Sequence, residues 1–520
     1  MDNVGHFCGV AAVYLPKPLS HYPKGSAAYY LYNMLLQVQN RGQLSAGITT
    51  YNKERLQMID TYKKLGTVNE AFRVSNKEKF ERIMKRYSGD RGIGHTRYAT
   101  SGLNDEGSAQ PFERHHGRTW KWFSFGFNGN IANFPELKKK LEKGKYHLVR
   151  NNDTEIILYF LAKQTLGERR GNLRTIFGNL STQFDGAYNL VYVNADGDLA
   201  AIRDPLGFRP LSYAKTDDFV GAASESCALT RFSENNVKTI NPGEMLLVND
   251  GSVEVKRFAK CRKKAFCMFE WVYFANAASI LEGKSVYDVR WRLGQELAKI
   301  ETESVDMDTI VVAVPDTARP AAESLSHEFG VPAMEGLLRN RYVGRTFIEG
   351  AKRDERVKEK FNINKTVLKG KKVILVEDSI VRGTTGKSLI DYIKREGKAK
   401  EVHMRVSCPP IRAPCFYGID MSTMDELIAT KHMQKKEAKD YGYHDVSEKT
   451  VKGIEKELGV DSLIYQKIDG LVKAIGLENG KRDLCMACLT GIYPTPWGEK
   501  LRDKANRQIG NCSGEKRTYE

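Results

Sequence analysis

Between residue 8 and about residue 250 the apolar positions come in short β-branched and aromatic runs, at 9–14, 187–193 and 199–202 among others, divided by Gly, Asn and Asp turns. That punctuation predicts a strand-rich half. Two longer patterns, 27–39 and 154–164, predict helices within it, the second capped at its start by Asp153 or Thr154. Strands interrupted by helices make an α+β layered domain.

From about residue 285 the pattern changes. Helical periodicities at 292–300, 321–329 and 385–396 alternate with continuous apolar runs at 309–314 and 372–376. A strand that is apolar on both faces must be covered on both faces, so this half predicts an α/β domain with a parallel sheet. Residues 1–7 precede the first strand, 8–250 form the first domain, 251–284 the connection and 285–470 the second domain. An appended segment, 471–520, ends in a polar tail from Cys512 to Glu520. There is no internal repeat.

Length and composition narrow the picture. At 520 residues, 41% of them hydrophobic, the chain is too long for one core and predicts two or three globular domains. No run of 18 apolar residues occurs, and the first seven residues lack the basic and apolar stretches of a secretory signal, so a cytoplasmic protein without membrane contact is expected. The formal charge of +17 admits phosphorylated ligands, a nucleic acid or an adapted proteome. Its basic runs, Lys138-Lys139-Lys140 and Arg262-Lys263-Lys264, have no interleaved aromatic residues and read as solvated faces, so no nucleic acid partner is expected. Nine cysteines, unevenly spaced, fit a reducing compartment better than a disulfide scaffold.

The sharpest chemistry lies at residues 373–385. An apolar strand runs into Glu377 and Asp378, then through Ser379, Ile380, Val381, Arg382, Gly383 and Thr384 into a helix. Open α/β sheets bind ligands at the carboxyl ends of their strands. Small residues let backbone N–H groups and a helix N-terminus close around phosphate, and adjacent carboxylates can hold ribose hydroxyls directly or through Mg²⁺. The plain alternative is a strand end followed by a helix cap, but thirteen consecutive residues fit the functional reading. The segment resembles the phosphoribosyl pyrophosphate (PRPP) motif of type I phosphoribosyltransferases, with an ending similar to that of the glutamine PRPP amidotransferase (amidophosphoribosyltransferase) family. Residues 314–322 and 339–348 extend the likeness. The resemblance implies that Thr317, Glu377 and Asp378 contact Mg²⁺, that residues 379–384 cradle the 5′-phosphate, and that Arg341 and Arg345 face the pyrophosphate. The chain departs from the pattern at Glu377, where most relatives carry Asp, and in a shorter, more charged loop after Ile348.

A lone cysteine opening a strand, as Cys8 does, is ordinarily a small buried core residue. The segments 91–100, 126–133 and 152–155 change that context, because amide hydrolysis needs a thiol, a base, oxyanion donors and charges for the amino acid ends. The set resembles class II glutamine amidotransferase domains, whose N-terminal nucleophile hydrolase fold is an αββα sandwich. By that resemblance Cys8 is the nucleophile, with its own α-amino group as base once Met1 to Phe7 are removed as a propeptide. Asn128 and the Gly129 N–H form the oxyanion hole, Arg97 holds the glutamine carboxylate and Asp153 its ammonium group. Departures from the family pattern stand at Asn40, Leu44 and Phe127.

Cys485 and Cys488 alone are equally a redox pair or half a zinc site. Resemblance to the iron–sulfur branch of the same family adds Cys267 and Cys415 and implies a [4Fe–4S] cluster, with zinc in the same cage as the alternative. Together the likenesses imply glutamine hydrolysis at Cys8 and passage of ammonia through a transient internal channel. Attack on carbon 1 of PRPP then gives 5-phospho-β-D-ribosylamine, which opens purine synthesis. They also imply a homotetramer inhibited by purine nucleotides. A PRPP-binding regulator or a degenerate paralogue is the rival reading.

Overall fold

In the computed structural model the described residues are 8–98, 106–340, 353–419, 421 and 423–507, with the side chains of 353–356 left aside. The strand Gly9–Tyr14 lies inside a seven-stranded antiparallel sheet, between Val220–Ala223 and Arg91–Arg97. The strand Phe123–Ile131 pairs along its whole length with Gly186–Asn194 in a six-stranded antiparallel sheet. The first strand is apolar at every position because both its faces are covered. Val10 and Ala12 pack between the sheets with Val191, Val193 and Ala201, whereas Ala11 and Val13 pack outward on Leu31 and Leu35 of the helix Ala27–Gln37. On the far side Phe125, Phe127 and Tyr192 meet Ile157, Phe160 and Phe177 from the helices Asp153–Gln164 and Leu173–Ser181. Helix, sheet, sheet and helix follow in order, as the αββα expectation requires. The last strand of the six-stranded sheet, Ser252–Arg257, pairs with Glu244–Asn249, so the sheet runs past residue 250.

One local expectation is corrected. The helix Asp153–Gln164 is capped by Asn152, whose Oδ1 accepts the Glu155 N–H at 2.9 Å, and not by Asp153 or Thr154. An N-cap needs extended backbone and a side chain reaching the third helical N–H, and Asn152 provides both. Asp153 is thereby left at the first helical position.

In the second half the strands Thr309–Ala313, Lys372–Glu377, Glu401–Val406 and Ser462–Tyr465 form a parallel sheet in chain order. Val373 and Leu375 pack on Leu389, Ile390 and Ile393 of the helix Thr384–Arg395, while Ile374 and Val376 pack on Leu297, Ala321 and Leu325 across the sheet. Strict alternation between two apolar cores is what the continuous apolar run encoded.

A further apolar cluster joins the halves. It takes Ala132, Ala187 and Phe208 from the first, Val381, Ile411 and Tyr417 from the second, and Leu484, Tyr493 and Leu501 from the C-terminal segment. Crossing it is a buried charge network. Arg41 pairs with Glu225 at 2.6 Å and with Glu270 at 2.7 Å, and Arg209 reaches the same Glu270 at 3.4 Å. Glu270 opens a π-helical turn, Glu270–Phe274, whose neighbouring carbonyls, those of Trp271 and Ala275, accept hydrogen bonds from Arg290. Among the described residues no helix is long and apolar enough to cross a membrane.

Candidate functional site

Cys8 directly precedes the first strand, with its Sγ 4.0 Å from the Tyr98 carbonyl. Burial raises the thiol to about 11, the Tyr98 contact and the Arg97 charge draw it down, and Asp153 draws it up. Arg97 and Asp153 are thus both within electrostatic reach of the sulfur. Arg97 ends the neighbouring strand Arg91–Arg97, and Asp153 opens its helix. A thiol so reluctant to ionise needs a base beside it.

Asn128 and Gly129 lie on Phe123–Ile131, opposite Asn189 and Tyr188. Asn128 is fully buried; its Nδ2 lies 3.4 Å from the Ser224 hydroxyl oxygen, and its Oδ1 has no hydrogen-bond partner among the described residues. Ser224 also accepts the Val10 N–H at 3.0 Å, so one hydroxyl links the nucleophile's strand to the Asn128 side chain. Gly129 has φ +153°, and a Cβ there would stand 1.9 Å from the Ala187 carbonyl oxygen, so only glycine fits.

The departures in this half are structurally quiet. The Phe127 side chain points into the helix-facing core, on the face opposite Asn128. Asn40 donates from Nδ2 to Glu225 at 2.9 Å and to the Phe274 carbonyl at 3.0 Å, which makes it part of the buried network.

Glu377 ends its strand and Asp378 follows. Both carboxyls are buried and pushed up from their ordinary values. For Glu377 the cause is burial and the neighbouring Asp378; for Asp378 it is burial, opposed by the Ser379 hydroxyl at 2.6 Å and by Arg290. Glu377 Oε1 and Asp378 Oδ2 have no hydrogen-bond partner among the described residues. Two buried acids with outward lone pairs suit a cation or sugar hydroxyls, which is the donor chemistry that Mg²⁺ and a ribose require. Thr317 sits in the turn before the helix Arg319–Phe329, and the Val314 N–H bonds the Val376 carbonyl at 2.8 Å, which sets that turn beside the two acids. In the loop 379–383 the Ile380 and Val381 side chains enter two different apolar cores, and the Val381 carbonyl accepts the Ile428 N–H at 2.7 Å. Arg382 pairs with Glu426 at 2.6 Å, and Gly383 leads into the helix Thr384–Arg395. Arg341 and Arg345 lie outside the described residues, as do residues 1–7.

Cys267 and Cys485 are cross-strand partners in the short parallel pair Phe266–Cys267 and Leu484–Cys485. Cys488 lies one turn on, and its carbonyl accepts the N–H groups of Arg412 and Ala413, which brings the Cys415 segment alongside. All four thiols are free and buried, and burial raises each of them. Cys488 is raised further by the other three, and Arg209 opposes the rise at Cys267, Cys415 and Cys485. Four thiols are the donor type that a thiolate-bound metal takes, yet among the described residues no three of His, Cys, Asp and Glu form a group that could hold a metal ion.

Sequence reading missed Ser224, Arg209 and Arg290. Serine and arginine carry no local signature of such roles; each acts through contacts with residues distant along the chain.

Comparison with known proteins adds the following. A family model for the glutamine amidotransferase domain matches residues 83–242, and one for the phosphoribosyl transferase domain matches 292–463. The chain is 38% identical over 496 residues to an amidophosphoribosyltransferase of Methanothermobacter thermautotrophicus, covering 94% of each. It is also similar to the solved glutamine PRPP amidotransferase of Bacillus subtilis complexed with ADP and GMP, with TM-score 0.78 and 32% identity, covering 94% of this chain and 97% of that one. A second solved structure, described as the allosteric regulatory enzyme of purine biosynthesis, matches at TM-score 0.79 and 33% identity, over 94% of this chain and 96% of that one.

Proposed function

Because the chain belongs to the amidophosphoribosyltransferase family, we propose that its two sites divide one reaction, ammonia being released at Cys8 and consumed at the Glu377–Asp378 edge. It is a glutamine-dependent glycosyltransferase of purine synthesis. Glutamine, PRPP and water give 5-phospho-β-D-ribosylamine, pyrophosphate and glutamate.

At the first site Arg97 holds the glutamine carboxylate and Asp153 the ammonium group. The Cys8 α-amine, freed by removal of Met1 to Phe7, takes the thiol proton, and the thiolate attacks the side-chain amide carbon. The resulting oxyanion is held by the Asn128 side chain and the Gly129 N–H. Collapse, with the α-ammonium group returning its proton to the leaving nitrogen, expels ammonia and leaves a thioester, which water converts to glutamate and free Cys8. Ammonia passes inside the protein to the second site. There residues 379–384 hold the 5′-phosphate, Thr317, Glu377 and Asp378 hold Mg²⁺ and the ribose hydroxyls, and Arg341 and Arg345 face the pyrophosphate. Nitrogen bonds to carbon 1 of PRPP as the bond to pyrophosphate breaks. Bound Mg²⁺ supplies charge neutralisation for the departing pyrophosphate oxygens.

Cys267, Cys415, Cys485 and Cys488 hold a [4Fe–4S] cluster that pins the connection, the second half and the C-terminal segment together. The assembly is a homotetramer, and purine nucleotides inhibit it; the Bacillus subtilis relative complexed with ADP and GMP supports the latter.

The observation that carries this reading is the convergence of Arg97 and Asp153 on the Cys8 thiol in a chain that also holds, at a parallel-sheet edge, two buried acids each with one oxygen unpartnered among the described residues. The test is glutamate release from glutamine by anaerobically purified protein, with and without PRPP and Mg²⁺, while mass spectrometry reads the first residue. Release stimulated by PRPP from a chain starting at Cys8 is expected. No release from a correctly cut chain would shift belief to a regulator or degenerate paralogue.

A further inference from the structure

The turn Phe416, Tyr417 and Gly418 belongs to the second half of the chain, yet it rests on the strand that carries Asn128 and Gly129. Asn130 Nδ2 donates to the Phe416 carbonyl at 2.9 Å, across 286 residues of sequence. Arg209 Nη2 donates to the Tyr417 carbonyl at 2.5 Å. A Cβ on Gly418 would stand 3.2 Å from the Gly129 carbonyl carbon and 3.3 Å from its oxygen, closer than side-chain carbons ordinarily approach backbone. Gly418 also has φ +104°, so glycine is required there on two grounds.

The turn is rigid. The Tyr417 ring stacks on Phe208 with centroids 4.2 Å apart, its hydroxyl bonds Thr495 at 3.0 Å, and the Phe416 ring stacks on Tyr493 at 5.1 Å. Gly129 is equally confined on its other side by the Ala187 carbonyl. The peptide after Gly129 is therefore held between a neighbouring strand of its own half and a fixed turn of the other.

We infer that residues 416–418 are a positioning element of the glutamine site, in which Gly418 and Asn130 fix the Gly129–Asn130 peptide and, through the Gly129 Cα, the orientation of the preceding peptide that carries the Gly129 N–H. This rests on the assignment of Asn128 and Gly129 as oxyanion donors. Oxyanion donors act through placement, so a shift of a few tenths of an ångström is felt in the transition state and little in the bound substrate. The amidotransferase half would then possess a complete oxyanion hole only with the second half docked against it.

The test uses full-length, correctly cut enzyme with Gly418→Ala and, separately, Asn130→Asp, which sets an acceptor against the Phe416 carbonyl. Glutaminase kcat is expected to fall about tenfold or more, as for a misplaced oxyanion donor, with KM for glutamine within about twofold. Ammonia-dependent synthesis and the rate of Cys8 alkylation by iodoacetamide, which needs no oxyanion hole, are expected to stay unchanged. Unchanged kcat in both variants, equal loss of glutamine- and ammonia-dependent synthesis, or failure of both variants to fold would assign the turn to packing alone and overturn the inference. Asn128→Ala separates the two layers of the reading. If it leaves glutaminase intact, the oxyanion assignment itself falls; if it lowers kcat while the turn variants do not, only the positioning role falls.

Discussion

The two candidate sites are held in opposite ways. Around Cys8, Arg97 closes a strand inside the seven-stranded sheet, Asn128 and Gly129 stand on a strand paired along its whole length with Gly186–Asn194, and Gly129 is boxed in by backbone on two sides. Around Glu377 and Asp378 the assigned residues lie on turns beyond strand ends, and the two acids sit buried with oxygens unpartnered among the described residues. Apart from Asn128 Oδ1 and the amine that removal of residues 1–7 must free, the first site stands assembled before its substrate arrives. The other stores unsatisfied polar groups, at a cost in folding free energy, for a ligand to satisfy. Rigid placement serves a reaction whose barrier is lowered by fixed donors, and unpaired acids serve one in which the ligand brings charge with it.

The contrast can be broken most forcefully at Cys8. Cys8→Ala is expected to lower glutamine-dependent synthesis at least about a thousandfold while leaving ammonia-dependent synthesis within about twofold. Equal loss of both, measured as pyrophosphate release, would deny that the sites are separate. Asp378→Asn should lower synthesis from either nitrogen source about a hundredfold without lowering thermal stability, because the amide oxygen still accepts from the Ser379 hydroxyl and the charge removed is a buried one whose Oδ2 has no partner among the described residues. A marked drop in melting temperature would mean that the acid is structural. Arg41→Met probes the rigid half, leaving Glu225 and Glu270 buried beside a neutral side chain, and should cost about 3–5 kcal/mol in urea denaturation. A cost below about 1 kcal/mol, the range of surface pairs, would show the network to be dispensable.

An effect confined to acid pH concerns His95, held between the sheets with Nε2 3.0 Å from the Phe127 carbonyl oxygen. Burial lowers it to about 3. Its unfolded value is near 6.5, so its contribution is complete above that pH and declines as pH falls from there toward about 3, by at most about 1.4 kcal/mol per unit. His95→Gln should flatten the stability profile below pH 6.5, and an unaltered slope would place the titration elsewhere.

Much of this was legible in the chain. Runs such as Gly9–Tyr14 and Lys372–Glu377 announce strands because both faces are buried, and residues 373–385 keep strand, acids, loop and helix contiguous. The cap stands at Asn152, one position before Asp153 and two before Thr154, since Asn, Asp and Thr in succession all suit an N-cap and only backbone geometry selects among them. The links of Asn130 to Phe416 and of Arg209 to Glu270 were not legible at all. They join residues 286 and 61 positions apart, and no local periodicity encodes a contact that tertiary packing creates.

The cluster that unites the halves also fixes a timetable. Trp497 at the start of the last helix donates its N–H to Asp185, 312 residues earlier. At roughly 5–20 residues per second, a ribosome needs on the order of 15–60 s to span that interval. For that time Ala132, Ala187 and Phe208, all buried in the finished protein, wait for a covering that has not yet been made. Newborn chains therefore depend on whatever shields apolar surface in the cell until the segment 484–505 has been made.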